Sequence, residues 1–132
     1  MSEEKWVLEL TSEQVNVIAQ SLDLTSRLLC GNVEEIIPFI AKHIPKTINK
    51  TPRAIRYAKD IKLTLFPDLP LDAGHGILSD KVPKEAKISY DIECVIKHAL
   101  SWHRNPEGGW LVDFDDPINA SGQELPIMKI KE

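Results

Sequence analysis

The stretch that decides the fold is residues 83–104, which read Pro83-Lys-Glu-Ala-Lys-Ile-Ser-Tyr-Asp-Ile-Glu-Cys-Val-Ile-Lys-His-Ala-Leu-Ser-Trp-His-Arg104. Its apolar residues recur at steps of three and four and so share one helical face: Ile88, Ile92, Val95, Ile96, Ala99 and Trp102. Tyr90, Cys94 and Leu100 lie off that stripe, so we expect the helix to be covered on more than one side. The pattern predicts a long helix that scaffolds the domain.

Three more helices are predicted before it, at residues 12–30, 33–44 and 52–65. Thr11 and Gln14 form a capping-box pattern at the first, while Asn32 and Thr51 are expected to cap the second and third. Pro38 should kink the second helix or end its first part. The first helix is apolar on two opposite sides, so it is expected to be sandwiched within the monomer or between two subunits.

Three short segments alternate apolar and polar residues as strands do, at residues 5–10, 110–114 and 125–131. Trp6 and Trp110 lie in these segments and are expected in the core. The sequence therefore predicts a single α+β domain over residues 1–132. It would have a helical core of about four helices and a small antiparallel sheet of short N- and C-terminal strands.

Composition limits the function classes. The net charge of −4 argues against general nucleic-acid binding, although Lys and Arg are frequent between residues 42 and 62 and allow a local basic pocket. Cys30 and Cys94 lie in apolar helical contexts and are expected to be free thiols rather than a disulfide. No signal peptide and no apolar run of about 20 residues is visible, so we expect a cytoplasmic chain without a membrane partner.

Polar and aromatic residues mark the edge of the long helix. Asp91, His98 and Trp102 fall in a narrow angular sector, but Asp91 and His98 are two turns apart and each needs its own partner. His98 could contact an anionic group of a ligand or act as a general base, because its reference pKa lies near neutrality. The alternative is that both residues fix helix packing through hydrogen bonds.

Two other places could contribute to a site. His75 lies between two glycines in a long loop, and glycines permit positive φ and close backbone approach to a ligand. Arg53, Arg56 and Tyr57 begin the third helix and would suit phosphate or carboxylate groups, although they could also be a solvated surface. The four histidines show no metal-ligand spacing and no catalytic motif occurs, so neither a metal, a cofactor nor enzymatic activity is expected.

Six runs stand out between residues 10 and 102: Leu-Thr-Ser-Glu-Gln at 10–14, Leu-Asp-Leu-x-Ser-Arg at 22–27, Gly-Asn-Val-Glu-Glu-Ile at 31–36, Phe-Pro-Asp-Leu-Pro at 66–70, Gly-Ile at 76–77 and Tyr-Asp-Ile-x-x-Val-Ile-Lys-His-x-Leu-x-Trp at 90–102. Together they resemble a pattern found in small bacteriophage and prophage accessory proteins of uncharacterised function. The resemblance implies a biological context, the cytoplasm of a host bacterium, and no mechanism. Small phage accessory proteins often act by binding, and some sequester the nucleotide second messengers of host defence.

The resulting hypothesis is a homo-oligomeric, non-enzymatic protein that captures a small anionic, nucleotide-like ligand. Its candidate lining is Arg53, Arg56, Tyr57, His75, Asp91, His98 and Trp102. The alternative is a protein-interaction module that inhibits a host protein or assists virion assembly. In that case the polar edge of the long helix would be structural.

Overall fold

The structure is a computed structural model, which describes residues 4–131. It contains four α-helices: α1 (Ser12–Leu29), α2 (Ile36–His43), α3 (Thr51–Leu65) and α4 (Lys84–Arg104). Short 3₁₀ helices occur at Val33–Glu35, Pro45–Lys50 and Val112–Phe114. We refer to residues 105–131 as the C-terminal segment. Over the described residues no helix is long and apolar enough to cross a membrane.

Helix α1 begins and ends where its residues predict. The Thr11 side chain accepts a hydrogen bond from the backbone N–H of Gln14, and the Gln14 side chain accepts one from the N–H of Thr11. This capping box satisfies two backbone donors that the first turn leaves unpaired. Gly31 follows the helix with a φ of +98°, a conformation that glycine adopts without steric cost.

Helix α4 packs along α1, and this pair contains the main core. Val15 and Ala19 of α1 contact Ile96 of α4, and all three are buried. Five partly buried side chains surround them: Ile18, Leu22, Ile92, Leu100 and Met128. The buried residues of α4 also include Asp91, which lies about 140° around the helix axis from Ile96, so the helix is covered on more than one side, as expected.

A smaller core attaches the loop of residues 66–83 to the first turn of α4. It is formed by Cys30, Val82 and the fully buried Ala86, with Ile77 packed against them. The backbone N–H of His75 donates to the carbonyl of Cys30 at 2.8 Å. Cys30 and Cys94 are both free thiols, as predicted.

Helices α2 and α3 form a unit that contacts α1 through α2, where His43 Nε2 lies 3.0 Å from Gln20 Oε1, and that also contains one buried cation. Lys62 is 1% exposed, and its ammonium donates to the carbonyl of Leu71 at 3.1 Å and lies 3.5 Å from a carboxylate oxygen of Glu34. Pro38 lies in the first turn of α2, where a backbone N–H would have no partner within the helix, so the helix tolerates it.

The C-terminal segment is fixed to α4 by polar side chains. Asp91 is 3% exposed, and its carboxylate accepts from the N–H groups of Ala120 (2.7 Å) and Ser121 (3.1 Å) and from the Ser121 hydroxyl. His98 Nδ1 lies 3.1 Å from the carbonyl of Asp113. The indole N–H of Trp102 donates to the carbonyl of Phe114 at 3.0 Å.

The predicted sheet is wrong. No strand occurs within residues 4–131, so this part of the chain is an all-helical fold rather than α+β. Segments 5–10 and 125–131 are extended but lack partner strands, and residues 112–114 form a 3₁₀ turn closed by the N–H of Phe114 on the carbonyl of Leu111. Trp6 and Trp110 are 89% and 105% exposed, so neither is in the core.

Two other local expectations are corrected. Asn32 and Thr51 cap no helix through their side chains: a 3₁₀ turn follows Asn32, and Thr51 is itself helical. On α3, the apolar residues at steps of three and four predict a buried face that includes Ala58, Ile61 and Leu65; Ala58 is buried, but Ile61 and Leu65 are 48% and 66% exposed. The apolar pattern of α3 is therefore only partly covered within the described chain.

We expect Asp91→Ala to lower the free energy of unfolding by about 2–3 kcal/mol, because two backbone donors and one hydroxyl lose a charged acceptor. Urea unfolding measures this change, and hydrogen exchange at the amides of Ala120 and Ser121 should accelerate. The exposed Asp68→Ala is the control and should change stability by less than about 0.5 kcal/mol. Equal effects of the two substitutions would show that Asp91 does not anchor the segment.

Candidate functional site

A cleft of about 350 Å³ lies between α1, α4, the loop of residues 66–83 and the C-terminal segment. Its α4 wall consists of Tyr90, Glu93, Cys94 and Lys97, which share one face because they are spaced by three and four residues. The α1 wall consists of Asp23, Ser26, Arg27 and Cys30. Asn32, His75 and Ile77 line one end, and residues 112, 113 and 115–118 line the outer side.

The charges of this cleft are mainly acidic. Five carboxylates line it: Asp23, Glu93, Asp113, Asp115 and Asp116. Its two permanent cations are already paired. Arg27 donates to Asp23 at 3.0 Å, as the i,i+4 spacing predicts, and Lys97 is paired with Glu93. A small anion would therefore meet net negative charge here.

The buried carboxylate of Glu93 is the most perturbed acid of the cleft. Its side chain is 5% exposed. Burial raises the pKa of Glu93, and the hydrogen bond with Lys97 offsets this only in part. The hydrogen bond and charge of Asp23 raise the pKa of Arg27, so the guanidinium remains charged.

The thiols are not activated as nucleophiles. Burial raises the pKa of Cys94, and the hydrogen bond with Tyr90 lowers it by less. Burial likewise raises the pKa of Cys30, and burial with the neighbouring Cys94 raises that of Tyr90 to about 12. A reactive cysteine needs a depressed pKa, because the thiolate is the nucleophile. At neutral pH these groups stay protonated and pack as part of the wall.

Of the seven residues predicted to bind a ligand, His75 lines this cleft and the other six do not. Asp91, His98 and Trp102 each hold the C-terminal segment, which matches the packing alternative considered for Asp91 and His98. Gly74 has no positive φ. It is required by close packing instead, since a Cβ atom there would lie 2.7 Å from the side-chain amide of Asn32.

Arg53, Arg56 and Tyr57 lie on α3, which does not contact α4 in the described structure. Arg53 donates from Nε and Nη2 to the Tyr57 hydroxyl at 3.1 and 3.0 Å, and its guanidinium carbon lies 5.5 Å from the centre of the Tyr57 ring. The predicted lining is therefore divided among an α3 surface, one end of the cleft and the anchor of the C-terminal segment. It does not form one pocket.

Sequence reasoning missed the α4 wall of the cleft. The signal was present, because Tyr90, Glu93 and Lys97 share a face away from the apolar stripe. Reading Tyr90 as a core residue hid it. The acidic outer rim depends on where the C-terminal segment folds back, and no local pattern encodes that path.

Comparison with protein-family models, with curated proteins and with solved structures gives no match for this chain. The resemblance to phage accessory proteins therefore stays a prediction.

We expect the raised pKa of Glu93 to make stability depend on pH. The folded chain holds this proton more tightly than the unfolded chain does, so stability falls as pH rises from the ordinary pKa of 4.5 through the raised value. Relative to Glu93→Gln, the wild type should lose at most about 1.4 kcal/mol per pH unit in this window and then level off. Urea unfolding at a series of pH values measures this difference.

The control for this series is Glu124→Gln, because Glu124 forms an ion pair with Lys5 while 72% exposed. It gives the baseline for removing an exposed carboxylate. If the difference between the wild type and Glu93→Gln does not vary with pH, the buried carboxylate is not perturbed.

Proposed function

We propose that this chain is a non-enzymatic protein-interaction module, acting as a phage accessory protein in the host cytoplasm. Its binding surface is residues 36–65, that is α2, α3 and the 3₁₀ helix between them. We call it the basic surface, and its partner is an acidic protein with an apolar face. The observation that carries the proposal is the coincidence of exposed apolar side chains and concentrated positive charge on this one unit.

The charge of the basic surface is opposite to that of the whole chain. It contains seven Lys and Arg residues and one acid, Asp60, for a net charge of +6, so the other residues carry −10 of the total of −4. Lys62 is buried, but the other six are exposed: Lys42, Lys46, Lys50, Arg53, Arg56 and Lys59. Such a field accelerates encounter with an acidic partner and disfavours basic ones.

Exposed apolar residues lie among these charges at helical spacing. Ile36, Ile40 and Ile44 follow one another at steps of four and are 39%, 39% and 54% exposed. On α3, Tyr57, Ile61 and Leu65 repeat the same spacing and are 54%, 48% and 66% exposed. Apolar anchors surrounded by charge are typical of protein interfaces, where a central contact is enclosed by a polar rim.

The cleft between α1 and α4 gives no support to nucleophilic catalysis. Its thiols and its tyrosine have raised pKa values, and its two permanent cations are paired with carboxylates. Neither a nucleophile nor an anion-binding group is thus prepared there. Inhibition of a host protein and assistance to virion assembly are both compatible roles for such a module.

We expect the double variant Lys46→Glu/Lys50→Glu to weaken partner binding at least about tenfold, because like charges then face an acidic partner. A photo-crosslinking residue at Ile44 in host cells should capture the partner, and mass spectrometry should identify an acidic contact peptide. Lys129→Glu is the control, since Lys129 is exposed and distant in sequence. The same crosslinks at the same yield in the double variant would contradict the proposal.

Capture of a small anionic, nucleotide-like ligand is the second candidate function. Such a ligand would bind on the basic surface. Arg53 and Tyr57 form a cation–π pair there, and Arg53 retains donors that Tyr57 does not use. A guanidinium beside an aromatic ring suits a phosphate linked to a base. The positive end of the α3 helix dipole, at its N-terminal turn, would also attract the phosphate group.

We expect a nucleotide held in this way to stabilise the chain by about 2.7 kcal/mol at 100 times its Kd. A thermal-shift panel of linear and cyclic nucleotides tests it, with Arg53→Ala/Arg56→Ala losing the shift and His98→Ala keeping it. If no nucleotide shifts the melting temperature, the small-ligand candidate is removed while the protein-interaction proposal stands.

A further inference from the structure

The N-terminal segment, residues 5–10, is extended and unusually exposed. Trp6, Val7 and Leu8 are 89%, 94% and 73% exposed. Neither this segment nor residues 124–131 forms a backbone–backbone hydrogen bond with any other described residue. An ordered strand-like segment with free N–H and C=O groups and exposed apolar side chains is a template for pairing with another chain.

The segment is nevertheless held in place. Lys5 contacts Glu124 at 3.0 Å, and Glu9 contacts Lys131 at 3.1 Å, so the segment lies beside residues 124–131 and runs in the same direction. Met128, in the neighbouring stretch, packs against the α1–α4 core. The N-terminal segment is therefore positioned by ion pairs along one side while its backbone stays unpaired.

The solvent-accessible surface of the single chain is larger than that of a typical folded monomer of the same mass. The chain has 10,146 Å² of solvent-accessible surface at 14.9 kDa. A folded monomer of that mass exposes about 7,000 Å², leaving a surplus of roughly 3,000 Å². A stable protein–protein interface needs about 800 Å² from each partner. The surplus belongs to the chain as a whole, and the exposed side chains of residues 5–10 contribute to it.

The sequence of the segment complements itself. When Lys-Trp-Val-Leu-Glu at 5–9 is laid antiparallel on an identical segment with Val7 opposite Val7, Lys5 of each copy faces Glu9 of the other. Trp6 then faces Leu8 on the opposite side of the pair. Opposite charges and aromatic–aliphatic pairs are the cross-strand combinations that stabilise antiparallel pairing. Antiparallel pairing of identical segments also has the two-fold symmetry of a homodimer.

We infer that residues 5–10 form the dimer contact of this protein, by antiparallel backbone pairing with residues 5–10 of a second copy in the register that places Val7 opposite Val7. The pairing exists only between two copies, and the single chain contains no sheet within its described residues. In the dimer Lys5 lies between Glu124 of its own chain and Glu9 of the second copy. Glu9 lies between Lys131 and Lys5 of the second copy. Charges of alternating sign thus cross the contact.

A proline substitution tests the backbone pairing. With Val7 opposite Val7 as a hydrogen-bonded pair, Val7→Pro removes the N–H that each copy donates across the two-fold axis. This N–H bonds to no described backbone group within the chain, so the fold should be kept and the dimer lost. Sedimentation equilibrium should give the wild type twice the mass of Val7→Pro, with unchanged circular dichroism of the helical core. An equal mass for the two proteins, whether monomeric or larger, would overturn the inference.

A charge exchange tests the register. Lys5→Glu and Glu9→Lys, each alone, place like charges opposite each other twice in the dimer and should raise its Kd about tenfold. Mixing the two variants brings opposite charges together again, so native mass spectrometry should show a one-to-one heterodimer that forms more tightly than either homodimer. Lys5→Glu loses the ion pair with Glu124, Glu9→Lys loses the ion pair with Lys131, and mixing the variants restores neither. Effects within one chain therefore cannot produce this rescue.

Absence of the heterodimer, or equal affinity of all three pairings, would overturn the register and with it the inference. Lys46→Glu/Lys50→Glu changes the basic surface and leaves residues 5–10 untouched, so this variant should remain dimeric. A failure of dimerisation is therefore distinguishable from a failure of the proposed function.

Discussion

The arrangement of the C-terminal segment around the helical core depends on the hydrogen bonds to the buried carboxylate of Asp91. A carboxylate that is 3% exposed would be costly to bury alone, but three donors from Ala120 and Ser121 surround it. The C-terminal segment contains one 3₁₀ turn and no other regular element among its described residues, so it has little cohesion of its own. Asp91 holds it in the middle. This attachment fixes the positions of the acidic rim of the cleft and of Met128, which packs against the α1–α4 core.

The second buried charge, Lys62, is held less completely. It has one carbonyl partner and a carboxylate 3.5 Å away, and the other oxygen of that Glu34 carboxylate is buried without a hydrogen-bond partner among residues 4–131. Among the regular elements α3 contacts α2 and two 3₁₀ helices, and not α1 or α4. The unit that bears the basic surface is thus attached more loosely than the α1–α4 pair. Binding surfaces that change shape with a partner occur in regions of low local stability, and the basic surface lies in such a region.

Local signals in the sequence predicted the helices well. The capping box at Thr11 and the limits of α4 depend on neighbouring residues, and both are confirmed. The predicted sheet is wrong because alternating apolar and polar residues indicate only that a segment can be extended. They do not show that a partner strand exists. Residues 5–10 and 125–131 are extended. Within the described part of the chain, side-chain ion pairs connect the regions around these two segments, and no backbone hydrogen bonds do.

The candidate site was predictable only in part, for a related reason. Polar residues on a helix edge suit a ligand or a neighbouring loop equally well, and His98 and Trp102 turned out to contact carbonyls of the C-terminal segment. Which partner such groups meet depends on the path of the chain many residues later. The i,i+4 ion pair of Asp23 and Arg27 was predictable because both partners lie on one helix.

The separation of charge along the chain has a consequence for how the molecule behaves as a whole. With +6 on residues 36–65 and −10 elsewhere, the net charge of −4 describes no single face of it. Such a molecule has a large electric dipole moment and turns in the field of a charged object before touching it. Its isoelectric point near 5.6 therefore says little about which ion exchanger retains it, because a cation-exchange resin meets the positive end first.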